Sequence, residues 1–480
     1  MSSPKPLSLL SIVLITIVSV DSIRNLPATA IFGSQIFFFF IAACLLFLLP
    51  CAFISAELSA HESQQKSNHG GIYYWLKAAF GEKIAFVGIW FQWLENVIWY
   101  PAILSFIAGT LAYIISPDNP GYLTSNRHYI LIVILMIFWV LTFVNMKGLK
   151  LTAKISNLCT IFGLIVPMTI IILLGLNWIM SDSVNQISIT SASLIPDFSN
   201  KNIWVSLTGI ILSFSGIEIA TVYVRDIDNP KQKFPKALFI ATFVIATTLL
   251  LGSLAIAVSV PNKEINLISG IMQAMDIFLS KHHLNYLLPV MGGMVVLGGI
   301  GSLLNWIIAP TTGLHMAAVD GLMPKIFTRE NKYKAPSPLL LLQAILTTVL
   351  STIYLLLPSI NSAYWLLTVL ASQIYMFMYI LMFAAAIKLR KTYKTSDHTF
   401  TIGKSYLSTY ITATIGIVGC VITIIAGFIP PESMDIGSDK YYECLLVLGL
   451  IILALPPFII NKFNYRSNKS IKSNEQHQIK

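Results

Sequence analysis

The sequence lacks the charged side chains that a water-exposed surface requires. Only 11% of its 480 residues are Asp, Glu, Lys or Arg, whereas a soluble domain usually carries about 25%. Hydrophobic residues make up 56% of the chain, and the mean hydropathy is +0.75. A chain this long and this apolar has too few polar groups to cover a globular surface, so we assign it to the membrane proteins.

The sequence also lacks the motifs of catalytic and cofactor sites. Its five cysteines form no CxxC or His-Cys spacing, and no Gly-rich phosphate loop, HExxH or GxSxG is present. We therefore expect no enzyme activity, no metal and no cofactor. One cluster of ionisable residues is interpreted as a solvated cytoplasmic loop: Glu57, His61, Glu62 and His69.

The chain contains a series of apolar runs of about 20 residues, the length that crosses a bilayer. Such runs must be helical, because lipid offers no partner to unpaired backbone groups. The predicted spans, numbered 1 to 12, cover residues 7–32, 36–56, 84–115, 129–145, 153–180, 202–224, 235–260, 285–316, 337–357, 361–388, 406–429 and 441–461. Two connecting segments, 71–80 and 264–279, predict short surface helices. We predict an all-α membrane protein of about twelve transmembrane helices, with one transporter-sized domain over 1–461 and a short basic tail at 462–480.

Basic residues are distributed unevenly between the two sides of the membrane. If the N-terminus is cytoplasmic and the spans alternate, the cytoplasmic segments hold most of the 31 Lys and Arg residues. The outer loops then hold only Arg127, Lys201, Lys263, Lys281 and Lys440. The positive-inside rule therefore predicts a multi-pass protein with both termini in the cytoplasm. This distribution explains the net charge of +10 without a nucleic-acid partner.

Span 1 contains charged and helix-breaking residues at mid-membrane depth, in the stretch Asp21-Ser22-Ile23-Arg24-Asn25-Leu26-Pro27. Charges in a span are expensive and usually functional, and Pro27 cannot donate the hydrogen bond that a continuous helix needs. We predict a break near Asp21 to Leu26, whose freed backbone groups bind a ligand. The alternative is an ordinary proline kink with an internal Asp21–Arg24 ion pair.

Span 6 shows the same feature in the stretch Ser213-Phe214-Ser215-Gly216-Ile217-Glu218. A flexible glycine between a serine pair and an acid predicts a second interrupted helix. The two breaks open two halves of a five-plus-five repeat, about 7–180 and 202–388, with extra helices at 406–461. Paired discontinuous helices are typical of inverted-repeat transporters, whose substrate site lies where the two helices meet.

The broken segments predict what such a site binds. Half-helix N-termini favour a carboxylate, and freed carbonyls favour an ammonium group, so a zwitterion such as an amino acid fits both ends. Within the spans, the acids Asp21, Glu95 and Glu218 outnumber Arg24. That excess favours a cationic substrate or a protonatable acid, whereas Arg24 favours an acidic one, and the sequence leaves both open.

Three further spans contribute candidate residues. Glu95 and Asn96 are neighbours in span 3 and point about 100° apart, so we expect one to line the cavity and the other to meet a neighbouring helix. Trp306 in span 8 is interpreted as a gate or as packing. Tyr375 and Tyr379 share one face of span 10, where core packing is favoured. The candidate substrate-binding residues are Asp21, Ser22, Ile23, Arg24, Glu95, Asn96, Ser215, Gly216, Ile217, Glu218 and Trp306.

The stretch from Gly216-Ile217-Glu218 through Asn229-Pro230 to Pro235 resembles the sixth helix and following loop of the amino acid-polyamine-organocation (APC) superfamily. The segment 260–267, with Gly270 and Met272-Gln273, resembles the bacterial glutamate/GABA antiporters of that superfamily. Further similar motifs are Trp306 with Pro310 and Gly313, the loop 321–324, and Ala454-Leu455-Pro456. The resemblance covers about residues 7 to 461.

The resemblance implies a leucine-transporter type fold, with a five-plus-five inverted repeat, broken helices 1 and 6 and two added helices. It also implies exchange of one amino acid for another, or for its decarboxylated amine, across the bacterial inner membrane. The implied partners are small-molecule amino acids and the lipid bilayer, for a monomer or a homodimer. Similarity to an arginine/agmatine antiporter implies substrate contacts for Asn96 and Trp306 and a role in the pH response for Glu218.

The sequence departs from the superfamily at several points. Many relatives hold the substrate carboxylate with a Gly-Ser-Gly stretch, and the corresponding residues here are Val20-Asp21-Ser22. The tyrosine-rich stretch that follows in the glutamate/GABA antiporters is replaced here by residues 23–26. Glu95 has no acidic counterpart in these relatives. Gly163 replaces a lysine of some proton-coupled relatives, which favours exchange over the alternative of a proton-coupled amino acid or polyamine symporter. A channel or a substrate-sensing receptor is the alternative from another class.

Overall fold

A computed structural model of the chain describes residues 8–62, 71–148, 159, 161–181, 183–188, 190–197, 204–227, 229–392, 400–431 and 438–460. Within these residues, ten helices are long and apolar enough to cross a membrane. They are Gly33–Ala60, Glu82–Ile115, Arg127–Asn145, Phe162–Met180, Gln232–Ser259, Asn285–Val319, Ser337–Leu356, Ile360–Thr392, Tyr406–Ala426 and Asp439–Ile460. These helices form spans 2 to 5 and 7 to 12.

The two remaining spans are each divided into two pieces. Span 1 comprises Leu9–Val20 and Asn25–Ala30, and span 6 comprises Val205–Ser213 and a 3-10 segment, Ile217–Asp226. These two and the ten long helices confirm the predicted all-α fold of about twelve spans. The predicted start of span 5, at 153, and the basic tail lie outside the described residues.

The helix starts agree with local capping chemistry. Ser8 precedes span 1 and its hydroxyl accepts the backbone N–H of Ser11 at 3.2 Å. Asn126 caps span 4 by accepting two backbone N–H groups, and Ser405 and Ser438 cap spans 11 and 12 in the same way. Side-chain oxygens at these positions satisfy N–H groups that have no partner within the helix.

Spans 1 and 6 run antiparallel, with their breaks side by side. The first half of span 1 packs against the second half of span 6, and the second half of span 1 packs against the first half of span 6. Span 3 packs extensively on spans 8 and 10. The broken pair therefore faces the long helices that carry Glu95, Trp306 and the tyrosines of span 10.

Spans 5 and 8 approach each other backbone to backbone at a pair of glycines. A Cβ added to Gly163 would lie 2.0 Å from the backbone nitrogen of Gly298, and one added to Gly298 would lie 2.1 Å from the carbonyl oxygen of Gly163. Neither position has room for a side chain. The absence of Cβ atoms thus permits the contact that places spans 5 and 8 beside the break in span 1.

The first surface helix, Ile72–Phe80, is fastened to the end of span 8. Lys77 Nζ donates to Asp320 Oδ2 at 2.7 Å, and the Tyr73 hydroxyl donates to the same oxygen. Lys77 also lies 3.1 Å from Glu82 at the start of span 3. The second surface helix is Gly270–Lys281 rather than 264–279, because Asn262–Glu264 form a separate 3-10 turn.

Candidate functional site

The break in span 1 begins one residue after Val20. Asp21 has extended backbone angles (φ −66°, ψ 123°), and the helix resumes at Asn25 after tight turns, with Asn25 N–H donating to the Ser22 carbonyl at 3.0 Å. Pro27 is the third residue of the second piece, where an N–H would have no helical partner. The predicted break is confirmed at Asp21 to Arg24, and the proline starts a helix rather than kinking one.

The break in span 6 is centred on Gly216, whose φ of 109° is left-handed. Its N–H donates to the Tyr379 hydroxyl at 2.7 Å instead of to a carbonyl of its own helix. A Cβ at this position would lie 3.0 Å from the Ser19 carbonyl oxygen and 3.2 Å from the Trp306 ring. Glycine is thus required both for the backbone angle and for the close approach of spans 1 and 8.

The two breaks meet at one cavity. Seven of the candidate residues line it: Asp21, Ser22, Arg24, Glu95, Asn96, Ser215 and Trp306. Gly216 packs against the indole ring of Trp306, and Ile23 lines an adjoining cavity that also contains Gly163 and Gly298. Ile217 and Glu218 are buried beside the break, and neither lines the cavity.

Glu95 and Asn96 both contribute to the cavity wall, so the expectation that only one of them would do so is wrong. The amide nitrogen of Asn96 donates to the Gln92 carbonyl of its own helix at 2.8 Å. This bond holds the Asn96 side chain against span 3 and leaves its amide oxygen without a partner. Both residues therefore present free acceptor atoms.

Several buried polar atoms of the cavity residues have no partner within the described part of the chain. Buried side chains are normally hydrogen-bonded, so each exception calls for a physical reason. Four such atoms belong to cavity residues: Asp21 Oδ1, Arg24 Nε, Glu95 Oε2 and Asn96 Oδ1. Three are acceptors and one is a charged donor, which matches the polarity of a solute with a cationic and an anionic end.

Asp21 and Arg24 do not pair with each other. The other carboxylate oxygen of Asp21 accepts from the Thr248 hydroxyl of span 7 at 2.8 Å. Arg24 Nη1 donates to the Tyr364 hydroxyl of span 10 at 3.0 Å, and its guanidinium lies 5.1 Å from the Trp99 ring centroid. The alternative of an internal ion pair in a kinked helix is therefore wrong.

Glu218 is bound by side chains from two other spans. Its carboxylate accepts from the Tyr375 hydroxyl at 2.5 Å, from the Tyr379 hydroxyl at 2.6 Å and from the Gln92 amide at 3.2 Å. Core packing was favoured for the two tyrosines, and that interpretation missed their hydroxyl groups. Their i, i+4 spacing on one helix face was the available signal. Gln92 was also missed, although it precedes Glu95 by three residues and Asn96 by four, so helical periodicity places it near them on one face.

Trp306 is positioned by span 3. Its backbone carbonyl accepts from the Tyr100 hydroxyl at 2.8 Å, and its ring centroid lies 5.9 Å from that of Trp99. Trp99, Thr248 and Tyr364 were not predicted as site residues. Trp99 follows Glu95 by four residues and Asn96 by three, so helical periodicity places it on the same face.

Glu57 is not in a solvated loop, so that interpretation is wrong for this residue. It is 3% exposed and accepts from the Ile402 backbone N–H at 2.7 Å and from the Thr409 hydroxyl. Arg390 Nε lies 3.7 Å from its carboxylate. These contacts join span 2 to spans 10 and 11. His69 lies outside the described residues.

The chain is similar to known proteins over nearly its whole length. Residues 7–451 match the sequence profile of the family described as amino acid permease. An uncharacterized transporter of Legionella pneumophila is 40% identical over 460 residues, which cover 96% of this chain and 97% of the relative.

Two Lactococcus lactis (strain IL1403) proteins are more distant. The glutamate/gamma-aminobutyrate antiporter is 27% identical over 459 residues, covering 95% of this chain and 90% of that protein. A probable agmatine/putrescine antiporter is 24% identical over 386 residues, covering 79% and 78%. Because the family profile matches nearly the whole chain, this protein belongs to the amino acid permease family, whose members are multi-pass membrane transporters and not enzymes.

Proposed function

We propose that this protein is an amino acid antiporter of the glutamate/GABA type in the bacterial inner membrane, working by alternating access. The full-length similarity to a glutamate/gamma-aminobutyrate antiporter supports this proposal. The observation that carries it is the cavity where two antiparallel broken helices meet and where buried polar atoms lack partners.

In this proposal, the substrate docks between the breaks at Asp21 to Arg24 and at Ser215 to Glu218. The proposed substrate contacts are Asp21, Ser22, Arg24, Glu95, Asn96, Ser215 and Trp306. Gly216 and Glu218 position the span 6 break, because both bond to the Tyr379 hydroxyl. The Gly216 N–H donates to it, and the Glu218 carboxylate accepts from it. Ile23 and Ile217 supply apolar packing beside the breaks.

Transport in this proposal follows from the two repeats, about 7–180 and 202–388. The unit that contains spans 1 and 6 rocks against the other helices and exposes the cavity to each side in turn. Both termini lie in the cytoplasm, as the distribution of basic residues predicts. Reporter fusions at the two ends of the chain test this orientation, and a periplasmic signal from either contradicts it.

Counterflow in proteoliposomes tests the exchange function. Vesicles preloaded with glutamate or GABA should take up labelled glutamate, whereas empty vesicles should not. Trp306→Ala and Glu218→Ala should each slow exchange, because one removes the cavity wall and the other removes the acid that holds span 6. If both variants exchanged at the wild-type rate, this site assignment would be wrong.

The main alternative is a proton-coupled symporter of a cationic or neutral substrate. Gly163, at the position where some proton-coupled relatives carry a lysine, has no room for any side chain against Gly298. That observation favours exchange. Uptake into empty vesicles driven by a proton gradient would establish the symporter instead. Substrate binding without transport would indicate a receptor, and currents far above carrier turnover would indicate a channel.

A further inference from the structure

We propose that Arg24 binds the carboxylate of the transported solute, so that the site accepts amino-carboxylates and rejects diamines. This inference rests on the proposed function and deepens it, because it names the chemical class of both exchanged solutes. It concerns residues 23–26, which stand in place of the tyrosine-rich stretch of the antiporters that the chain resembles.

Arg24 is held at the junction of the two adjoining cavities. It is 3% exposed and lines both of them. Its guanidinium lies 5.1 Å from the Trp99 ring centroid and 5.8 Å from that of Tyr364, and Nη1 donates to the Tyr364 hydroxyl. Two aromatic rings and one hydrogen bond thus fix the plane of the guanidinium.

The Nε of this guanidinium makes no hydrogen bond. It is buried and has no partner among the residues that the structure describes, and Asp21, three residues earlier, bonds to Thr248 instead. Arginine stays charged under all physiological conditions and presents a planar fork that a carboxylate accepts with two parallel bonds. Glu95 lies near enough to interact with the charge of Arg24, but within the described residues no carboxylate forms a direct ion pair with it. A charged group inside a span usually marks a functional site, and the bound carboxylate supplies the direct partner.

The same cavity provides a separate place for an ammonium group. The unpartnered atoms Asp21 Oδ1, Glu95 Oε2 and Asn96 Oδ1 can each accept a hydrogen bond. A dicarboxylate that lacks an amino group would leave these acceptors without a donor and would be repelled by them. A diamine would place a second cation against Arg24. A solute with an ammonium group and at least one carboxylate satisfies both ends.

Two matched pairs of probes test this inference by competition against labelled glutamate exchange. GABA and putrescine differ in one end group, a carboxylate or an aminomethyl, whereas glutamate and glutarate differ in the amino group. Glutamate and GABA should compete, and putrescine and glutarate should compete at least tenfold more weakly. Competition by putrescine as strong as that by GABA would overturn the inference.

Variants of Arg24 test the residue itself. Arg24→Gln should weaken GABA competition at least tenfold and leave that of putrescine unchanged or stronger. Arg24→Lys keeps the charge and loses the Nε edge, so its GABA competition should fall between the two. Arg127→Gln, at the first residue of span 4 and outside the cavity, is the matched control and should compete as wild type does. If both Arg24 variants discriminate GABA from putrescine as wild type does, the inference is wrong.

A binding measurement distinguishes failure of this inference from failure of the proposed function. Ligand-induced thermal stabilisation of the purified protein measures binding without transport, with GABA and putrescine as the probes. Stabilisation by GABA that Arg24→Gln removes, in a protein that exchanges no amino acid, would support the Arg24 role and contradict the antiporter. Exchange that persists with unaltered selectivity in Arg24→Gln would do the reverse.

Discussion

The hydroxyl of Tyr379 accepts the backbone N–H of Gly216 at 2.7 Å and donates to Glu218 at 2.6 Å. One phenol oxygen thus satisfies the donor released where the helix breaks and also holds the acid two residues later. The left-handed turn of span 6 is therefore fixed by a side chain of span 10, and not only by its own sequence.

Replacing Tyr379 with Phe should destabilise the span 6 break. The change leaves the Gly216 N–H buried without a partner, which costs about 1–3 kcal/mol. We expect a lower melting temperature in detergent and slower glutamate exchange. Tyr375→Phe is the matched control, because it removes one bond to Glu218 and leaves Gly216 bonded, so its loss of stability should be smaller. Equal effects of the two changes would contradict this role of Tyr379.

The glycine contact between spans 5 and 8 makes a steric prediction. Gly298→Ala places a Cβ 2.1 Å from the Gly163 carbonyl oxygen, and overpacking of this kind typically costs about 1–3 kcal/mol or more. We expect the variant to unfold at lower temperature or to fail to accumulate in membranes. Gly293→Ala, on the same helix, meets nothing within 4 Å and should resemble wild type. A stable Gly298→Ala protein would refute the backbone contact.

Glu57 and Arg390 form a buried pair, so the loss of stability on replacing one of them should depend strongly on whether the other is present. Arg390→Leu leaves the Glu57 carboxylate buried without its cation, and such losses cost about 3–5 kcal/mol. The double variant Glu57→Leu with Arg390→Leu removes both charges and should recover much of that loss. Thermal unfolding of Glu57→Leu, of Arg390→Leu and of the double variant measures the coupling. Additive effects of the two single changes would show that the pair is uncoupled.

The contact of Lys77 with Asp320 predicts a pH dependence of stability. Hydrogen bonding to Asp320 raises the pKa of Lys77, and partial burial of Asp320 is outweighed by bonds from Lys77 and Tyr73 that hold its pKa below the usual range. The contribution of Asp320 is therefore complete above its unfolded pKa of about 3.9 and is lost as the pH falls through the lower folded value.

Asp320→Asn should consequently lower the free energy of unfolding at pH 7 by about 1 kcal/mol or less, since the pair is partly exposed. The difference from wild type should persist to pH 5 and shrink below pH 4. Melting temperatures across this range provide the measurement, with the exposed Glu443→Gln as a control that should change little. A difference that grows as the pH falls would have the wrong sign for this ion pair.

The helices and their breaks could be predicted from the sequence more fully than the contacts between spans. Asp21, Pro27 and Gly216 break the rules of a lipid-embedded helix, so the interruptions in spans 1 and 6 could be predicted from local chemistry. Tyr379, in contrast, lies 163 residues after the N–H that it accepts. Nothing in the sequence of span 10 indicates that the Tyr379 hydroxyl accepts a backbone N–H of span 6. Only the packing of span 10 on span 6 reveals this role.

Glu57 shows the same limit. A polar stretch follows it from His61 to His69, which favoured a solvated segment, whereas its partners Ile402, Thr409 and Arg390 come from the other end of the chain. Periodicity explains Trp99, which shares a helix face with Glu95. It does not explain Thr248 or Tyr364, whose bonds to Asp21 and Arg24 cross between spans.

The paired glycines 163 and 298 also make a prediction about motion. A Cβ at either position would collide with the backbone of the other span, so spans 5 and 8 are in direct backbone contact beside the break in span 1. In the proposed alternating-access cycle we expect this contact to persist, and spin labels flanking it should keep one separation in both outward- and inward-open states.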